Sequence, residues 1–224
     1  AENLAKAQMP GYRRQLVANS SFDTVMKPLP PEMAGSYTSK LLGTTTSPVI
    51  HDFSQGVMEQ TGRPLDIAIA GDGFLSVQGP SGVLYTRNGS LYVNDQRQLV
   101  TVDNLPVIGT AGPIVIPDGV TSETIQVSRD GRLSSQGAEF AQLELVSFPD
   151  NNALTPAGLT LFSAPNTVVP AGANAEILQG HLERGSTSAV DEMISLVTAT
   201  RHFDAAQKAL TTIGEALQKR IGLR

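Results

Sequence analysis

Two hydrophobic periods divide this chain. From Ser188 onward, Leu196, Ala199, Phe203, Ala206, Leu210, Ile213 and Leu217 follow one another at alternating spacings of 3 and 4 residues. That spacing puts them on one stripe of an α-helix, the a/d seam of a heptad. Ser188 followed by Asp191 predicts the N-cap, and Glu192 adds favourable charge to the first turn. Lys219, Arg220 and then Gly222 predict the end. A helix of about 33 residues rises roughly 1.5 Å per residue and spans about 50 Å. Its bare apolar stripe needs a partner.

Across residues 65–185 the period is two. Leu65, Ile67 and Ile69 alternate with Asp66 and Ala68, and Phe74, Ser76 and Gln78 alternate with Leu75 and Val77. Gly71-Asp72-Gly73, Gly112-Pro113, Pro117-Asp118-Gly119 and Asp130-Gly131 mark turns between apolar runs, and Asn88-Gly89 predicts a hairpin. Many short strands without βαβ alternation predict an all-β domain, a sandwich or open barrel.

The remaining stretches are less regular. Residues 1–11 read as the end of a helix stopped by Pro10-Gly11. Nine residues are too few for a helix that stands alone, so the pattern predicts more helix before Ala1. Residues 12–64 contain Pro28, Pro30, Pro31, Gly35 and Pro48, which exclude long elements. Yet Phe22, Val25, Met26, Leu29, Leu41, Leu42, Val49, Ile50 and Phe53 are too apolar for a solvated tether. An extended connector with short strands is expected, lying against other surface, including that of neighbouring subunits. The expected fold is thus mainly β with α termini. A β domain (65–185) is inserted between the helix end (1–11) with its connector (12–64) and the long C-terminal helix (186–224). The two terminal helices are expected to pair as a coiled-coil-like unit. Nine residues cover about 14 Å of a helix of about 50 Å, so most of the seam is left for other chains.

Composition narrows the chemistry. The 224 residues include no cysteine, which excludes disulfides, thiolate metal sites and cysteine nucleophiles. Net charge is −5, with no basic cluster beyond Arg13-Arg14, which argues against nucleic acid as a partner. That arginine pair reads as a solvated face. There is no apolar run long enough for a transmembrane helix and no signal-peptide pattern. His51, His181 and His202 lack ligand spacing. Asp66 and Asp72 are explained by strand parity and turn chemistry. Gly71-Asp72-Gly73 is not followed by the helix a phosphate loop needs. Gly185-Ser186-Thr187-Ser188 reads as a helix lead-in rather than a nucleophile motif. No catalytic, cofactor-binding or metal-binding residue is predicted, no small-molecule substrate is expected, and the chain is not read as an enzyme. A secreted β-sandwich adhesin or carbohydrate-binding module is the reading from another class. The absence of tryptophan and the 5 % aromatic content weigh against it. An unrecognised hydrolase is the third.

Four stretches, in order, resemble a known family. Glu2-Asn3-Leu4-Ala5-Lys6-Ala7-Gln8-Met9-Pro10-Gly11-Tyr12-Arg13 resembles the N-terminal signature of bacterial flagellar rod and hook proteins, with Lys6 and Met9 in place of its usual Asn and Thr. Gly62-Arg63-Pro64-Leu65-Asp66-Ile67-Ala68-Ile69-Ala70-Gly71-Asp72-Gly73-Phe74-Leu75 resembles that family's central segment. Tyr85-Thr86-Arg87-Asn88-Gly89-Ser90, followed by Gln98-Leu99-Val100-Thr101, resembles its next one. The last is Leu178-Gln179-Gly180-His181-Leu182-Glu183, continuing through Met193-Ile194 to Arg201-His202-Phe203-Asp204. Gly185 to Val190 replaces the family's usual Ser-Asn-Val helix entry. The compact middle domain and the run Leu105–Ile114 resemble the proximal-rod type most, with the distal-rod type next. The resemblance implies a structural subunit of the periplasmic basal-body rod, the drive shaft that transmits torque for motility. It implies export through the flagellar type III apparatus and helical assembly with itself and with other rod subunits through the terminal helices. The expected assembly interface is Leu4, Pro10, Gly11 and Tyr12 together with the seam from Leu196 to Leu217.

Overall fold

A computed structural model describes residues 2–17, 49–165 and 167–221. The connector positions Phe22, Val25, Met26, Leu29, Leu41 and Leu42 lie outside the described residues, as do Gly222 and the side chain of Leu217. What is described is mainly β with one long C-terminal helix, and the strands do not close into a barrel among the described residues.

The central strand is Phe74–Gly79, and its alternation sends side chains to two separate cores. Leu75 and Val77 join the larger one, with Ile67, Ile69, Leu91, Leu99, Val107, Ile114, Ile116, Ile125, Leu133 and Ile177. Phe74 faces the other way, into a smaller aromatic core with Tyr85, Val146, Phe148, Leu154 and Phe162, against which Phe53 packs. Apolar positions on both parities therefore mean a strand covered on both faces. Four of the seven phenylalanines, Phe53, Phe74, Phe148 and Phe162, gather in this smaller core at 5.1–6.5 Å between the paired ring centroids. Among the described residues, most aromatic side chains are spent on packing rather than on a surface platform.

Phe74–Gly79 belongs to a six-stranded antiparallel sheet ordered Thr155–Pro156, Leu161–Ser163, Gly82–Thr86, Phe74–Gly79, Leu145–Ser147, Ala171–Gly172. Both edges are two-residue strands, one containing a proline without an N–H, which leaves little edge for another chain to pair with. A three-stranded meander, Ile125–Val127, Arg132–Ser135 and Ala138–Gln142, contains the predicted turn at Asp130-Gly131. Gly131 there adopts φ +84, and the Ser128 N–H donates to the Arg132 carbonyl at 2.9 Å. The strand Ile67–Ala70 pairs with Glu176–Gln179, and Met58–Gln60 pairs with His181–Glu183. These pairings return the end of the β region to its beginning.

One predicted turn is not a hairpin. Asn88-Gly89 joins Gly82–Thr86 to Leu91–Val93, but these strands pair elsewhere, with Phe74–Gly79 and Leu161–Ser163, and with Leu99–Thr101, respectively. The chain changes sheets here by crossing over Ile67, whose N–H donates to the Gly89 carbonyl at 3.0 Å. The glycine is needed for close approach: a Cβ on Gly89 would sit 1.8 Å from the Ile67 carbonyl oxygen. Gly89→Ala is expected to destabilise the protein by about 2–3 kcal/mol through this clash. Urea unfolding checks it, and an unchanged midpoint would show that the two strands separate freely.

The terminal helical unit also differs from expectation. The helix at the start, α1, is one turn, Glu2–Ala5. It lies beside the C-terminal helix α2, Ala189–Ile221. A turn of this length covers about 6 Å of a helix of about 50 Å. The described residues therefore do not form the expected coiled-coil pairing of the two termini. A second strand pair, Arg14–Val17 with Val49–Asp52, docks the chain start instead.

Candidate assembly surface

The surface begins where α2 is rooted. The turns that follow α1 end at Pro10-Gly11, and Gly11 takes φ +70. Its N–H donates to the Glu183 carbonyl at 2.9 Å. The next residue, Tyr12, is 1 % exposed. Its hydroxyl donates to Asn3 Oδ1 at 3.0 Å, and Asn3 in turn exchanges two bonds with the backbone of Gln15, at 2.8 and 3.0 Å. Burial, and secondarily the charges of Glu2 and Glu192, push the Tyr12 phenol up from its ordinary value. So Leu4 and Pro10 are half-buried, and Gly11 and Tyr12 are buried. Of these four predicted residues, Gly11 and Tyr12 thus sit inside the root rather than on an open face.

Beneath them lies a buried charge cluster. Glu183 accepts from Arg13 Nη2 at 2.8 Å, from Arg87 Nε at 2.9 Å and from the Gly56 N–H at 2.7 Å. The side chains of Arg13 and Glu183 are fully buried and that of Arg87 nearly so. Arg87 also donates to the carbonyls of Ile69, Gly71 and Gly73, and Arg13 to that of Ser54. Two guanidiniums thus share one carboxylate, and backbone oxygens disperse the excess positive charge. Burial pulls the Arg13 guanidinium down from its ordinary pKa, against the attraction of Glu183. Arg13 is therefore not on a solvated face as its sequence neighbourhood suggests. It stitches the chain start to the end of the β region.

The root then passes into α2. The Ser186 hydroxyl accepts from the Arg14 N–H and donates to the Asp52 carbonyl, each at 3.0 Å. Arg14 Nε lies 2.7 Å from Glu192, a charge contact rather than an aligned hydrogen bond. Ser188 caps the helix, its Oγ accepting from the Asp191 N–H at 3.4 Å. Beyond Glu192 the described side chains of α2 are exposed. Leu196, Phe203, Leu210 and Ile213 are 44, 63, 70 and 56 % exposed, and Ala199 and Ala206 are exposed between them. Large apolar side chains on one stripe in water are unfavourable by about 25 cal/mol per Å² and mark an interaction site. The first turns add residues that the seam did not include: Val190, Met193, Ile194 and Val197 are also large, apolar and exposed. Their spacing of 3 and 4 was visible in the sequence as a second, shorter stripe.

Two segments of the chain match family models. Residues 68–135 match the flagellar hook protein FlgE/F/G D1 domain, and residues 178–223 match the C-terminal segment of flagellar basal body rod FlgEFG proteins. The two matched segments meet at the ion pair between Arg87 and Glu183. The flagellar basal-body rod protein FlgF of Salmonella typhimurium is 32 % identical over 230 residues, covering 96 % of this chain and 86 % of that protein. The chain belongs to the flagellar basal-body rod protein family. FlgG of Bacillus subtilis is 30 % identical over 198 residues, covering 82 % of this chain and 74 % of that protein. FlgG of Agrobacterium fabrum is 34 % identical over 188 residues, covering 78 % and 70 %. The chain is thus a structural rod subunit of the flagellar basal body, in a family not known for catalysis.

Proposed function

We propose that this chain is a proximal-rod subunit and that it assembles by burying the α2 stripe against the terminal segments of neighbouring subunits, of its own kind and of other rod proteins. The observation that carries this reading is the 33-residue helix whose described large apolar side chains, from Val190 to Ile213, are exposed. In a stack, the α1 turn supplies part of the cover, and neighbouring α2 helices supply the rest. Such contacts are heterologous and do not close, which is how an axial filament grows. The coiled-coil-like pairing of terminal helices belongs to that assembled state. Torque then passes through packed side chains, without chemistry.

In this reading residues 65–185 form the body, residues 12–64 connect it, and residues 1–11 with 186–224 do the assembling. The subunit reaches the periplasmic rod through the flagellar type III export apparatus. Similarity to both FlgF and FlgG proteins keeps the distal rod as the alternative position. Electron microscopy of purified basal bodies carrying a tagged chain tests the proposal. Density in the proximal segment of the rod is expected. Density confined to the distal segment would overturn the subtype, and its absence from basal bodies would overturn the assembly role.

A further inference from the structure

The strand pair that carries the root of α2 meets the six-stranded sheet through a buried histidine. His51 lies on Val49–Asp52, opposite Gln15 on Arg14–Val17. Its ring stands edge-on to Phe162, at 5.3 Å between centroids and 83°, and lies 6.3 Å from Phe53. Phe162 is a buried residue of the sheet's aromatic core. The imidazole therefore fills the seam between the strand pair and the sheet. It is 8 % exposed, and among the described residues neither ring nitrogen makes a hydrogen bond of ordinary geometry. A neutral imidazole leaves one donor and one acceptor unmet there. An imidazolium would leave two donors and a charge, at a much higher cost.

We propose that His51 is an acid-sensitive latch: protonating its ring releases the strand pair Arg14–Val17/Val49–Asp52 from the sheet and loosens the root of α2. The link to α2 is direct, because the strand pair holds Ser186 from both sides, through the Arg14 N–H and the Asp52 carbonyl.

Among the described residues, most charges around the ring are engaged elsewhere. On the partner strand, Arg14 faces Glu192, and Arg13 before it is bonded to Glu183. On its own strand, Asp52 accepts from the Ser54 N–H at 2.9 Å. Asp150 accepts from the Asn152 N–H at 2.9 Å, and Asp72 lines the open cavity that Asp52, Asp150 and His51 share. Phe162 and Phe53 bring no charge. None of these carboxylates bonds the ring. Burial, the larger cause, holds the His51 pKa below its ordinary value, against a hydrogen-bonding contribution from the Arg13 backbone. The sign follows from that direction. With the folded-state pKa depressed, the docked form binds fewer protons than the released form. Its stability is intact above the ordinary histidine value of about 6.5, and is lost as pH falls through that value toward the folded-state pKa.

The test uses the full chain at about pH 7.5 and about pH 5.5. The unfolding equilibrium constant is expected to rise about three- to tenfold on acidification, a proton-linkage effect of one histidine. In His51→Phe it should stay within about twofold, because the remaining histidines are His181, bonded through Nδ1 to the Gln179 carbonyl, and exposed His202. His51→Leu serves equally if the phenylalanine does not fit. In the parent chain the amide resonances of Gln15, Leu16 and Ser186 should shift with the midpoint of the His51 ring protons. Equal acid sensitivity in parent and variants, or a ring titrating at the ordinary value with those amides unmoved, would overturn the latch.

Discussion

Glu183→Gln is expected to lower the stability of this protein by about 3–5 kcal/mol, the cost typical of breaking a buried ion pair from one side. The substitution keeps the shape of the side chain and removes its charge. Arg13 and Arg87 would then face each other across an amide, both buried, with one positive charge each and no counter-ion. The Gly56 N–H would lose a charged acceptor as well. In a chain of this size 1 kcal/mol moves the melting temperature by about 2–4 °C, so a fall of roughly 6–20 °C is expected by thermal unfolding. Arg13→Met provides the contrast. It removes one of two cations and leaves Glu183 paired with Arg87, so it should cost less than Glu183→Gln. A smaller loss for Glu183→Gln than for Arg13→Met would show that charge balance is not what holds the cluster.

Phe203→Asp and Leu210→Asp are expected to abolish incorporation into the rod while leaving the melting temperature of the β region within about 2 °C. Both side chains are more than half exposed in the monomer, and surface substitutions of this kind change folding by no more than about 0.5 kcal/mol. In an assembled stripe each would bury a carboxylate among apolar neighbours, which costs several kcal/mol at every copy. Because each subunit of a filament repeats the contact, the loss is multiplied along the rod. Motility on soft agar and basal-body yield read the first effect, and calorimetry of the purified chain reads the second. A motile strain with normal basal bodies would remove α2 from the assembly account.

The part of this architecture that depends on local repetition was legible in the sequence. The 3-and-4 spacing of α2, its Ser188 cap and the period-two alternation of Leu65–Ile69 and Phe74–Val77 each reflect neighbours a few residues apart. What escaped depends on partners far away in the chain. Arg13 looked solvated because its counter-ion is 170 positions distant, and Arg87 carried no sign of its bond to the same carboxylate 96 positions on. Asn88-Gly89 has the composition of a tight hairpin, yet Gly89 is there to let Ile67 pass beneath it. The local signal for a turn is the same in both cases, and only the tertiary pairing distinguishes them. The second stripe, Val190 to Val197, was legible but overshadowed by the longer seam. Gly11 and Tyr12, expected on an assembly face, are buried in the root, where Gly11 bonds the Glu183 carbonyl and Tyr12 bonds Asn3.

The claim at the centre is that the α2 stripe is open in the monomer and covered in the rod. Because these 224 residues include no cysteine, a single Phe203→Cys substitution gives one thiol on that stripe. Val83→Cys, exposed on the six-stranded sheet, gives a control. Maleimide labelling rates are compared between purified monomer and isolated basal bodies. Both thiols should react readily in the monomer, and in basal bodies position 203 should slow at least about tenfold more than position 83, as expected for a side chain buried at an interface. Equal slowing, or none, at position 203 would contradict the account.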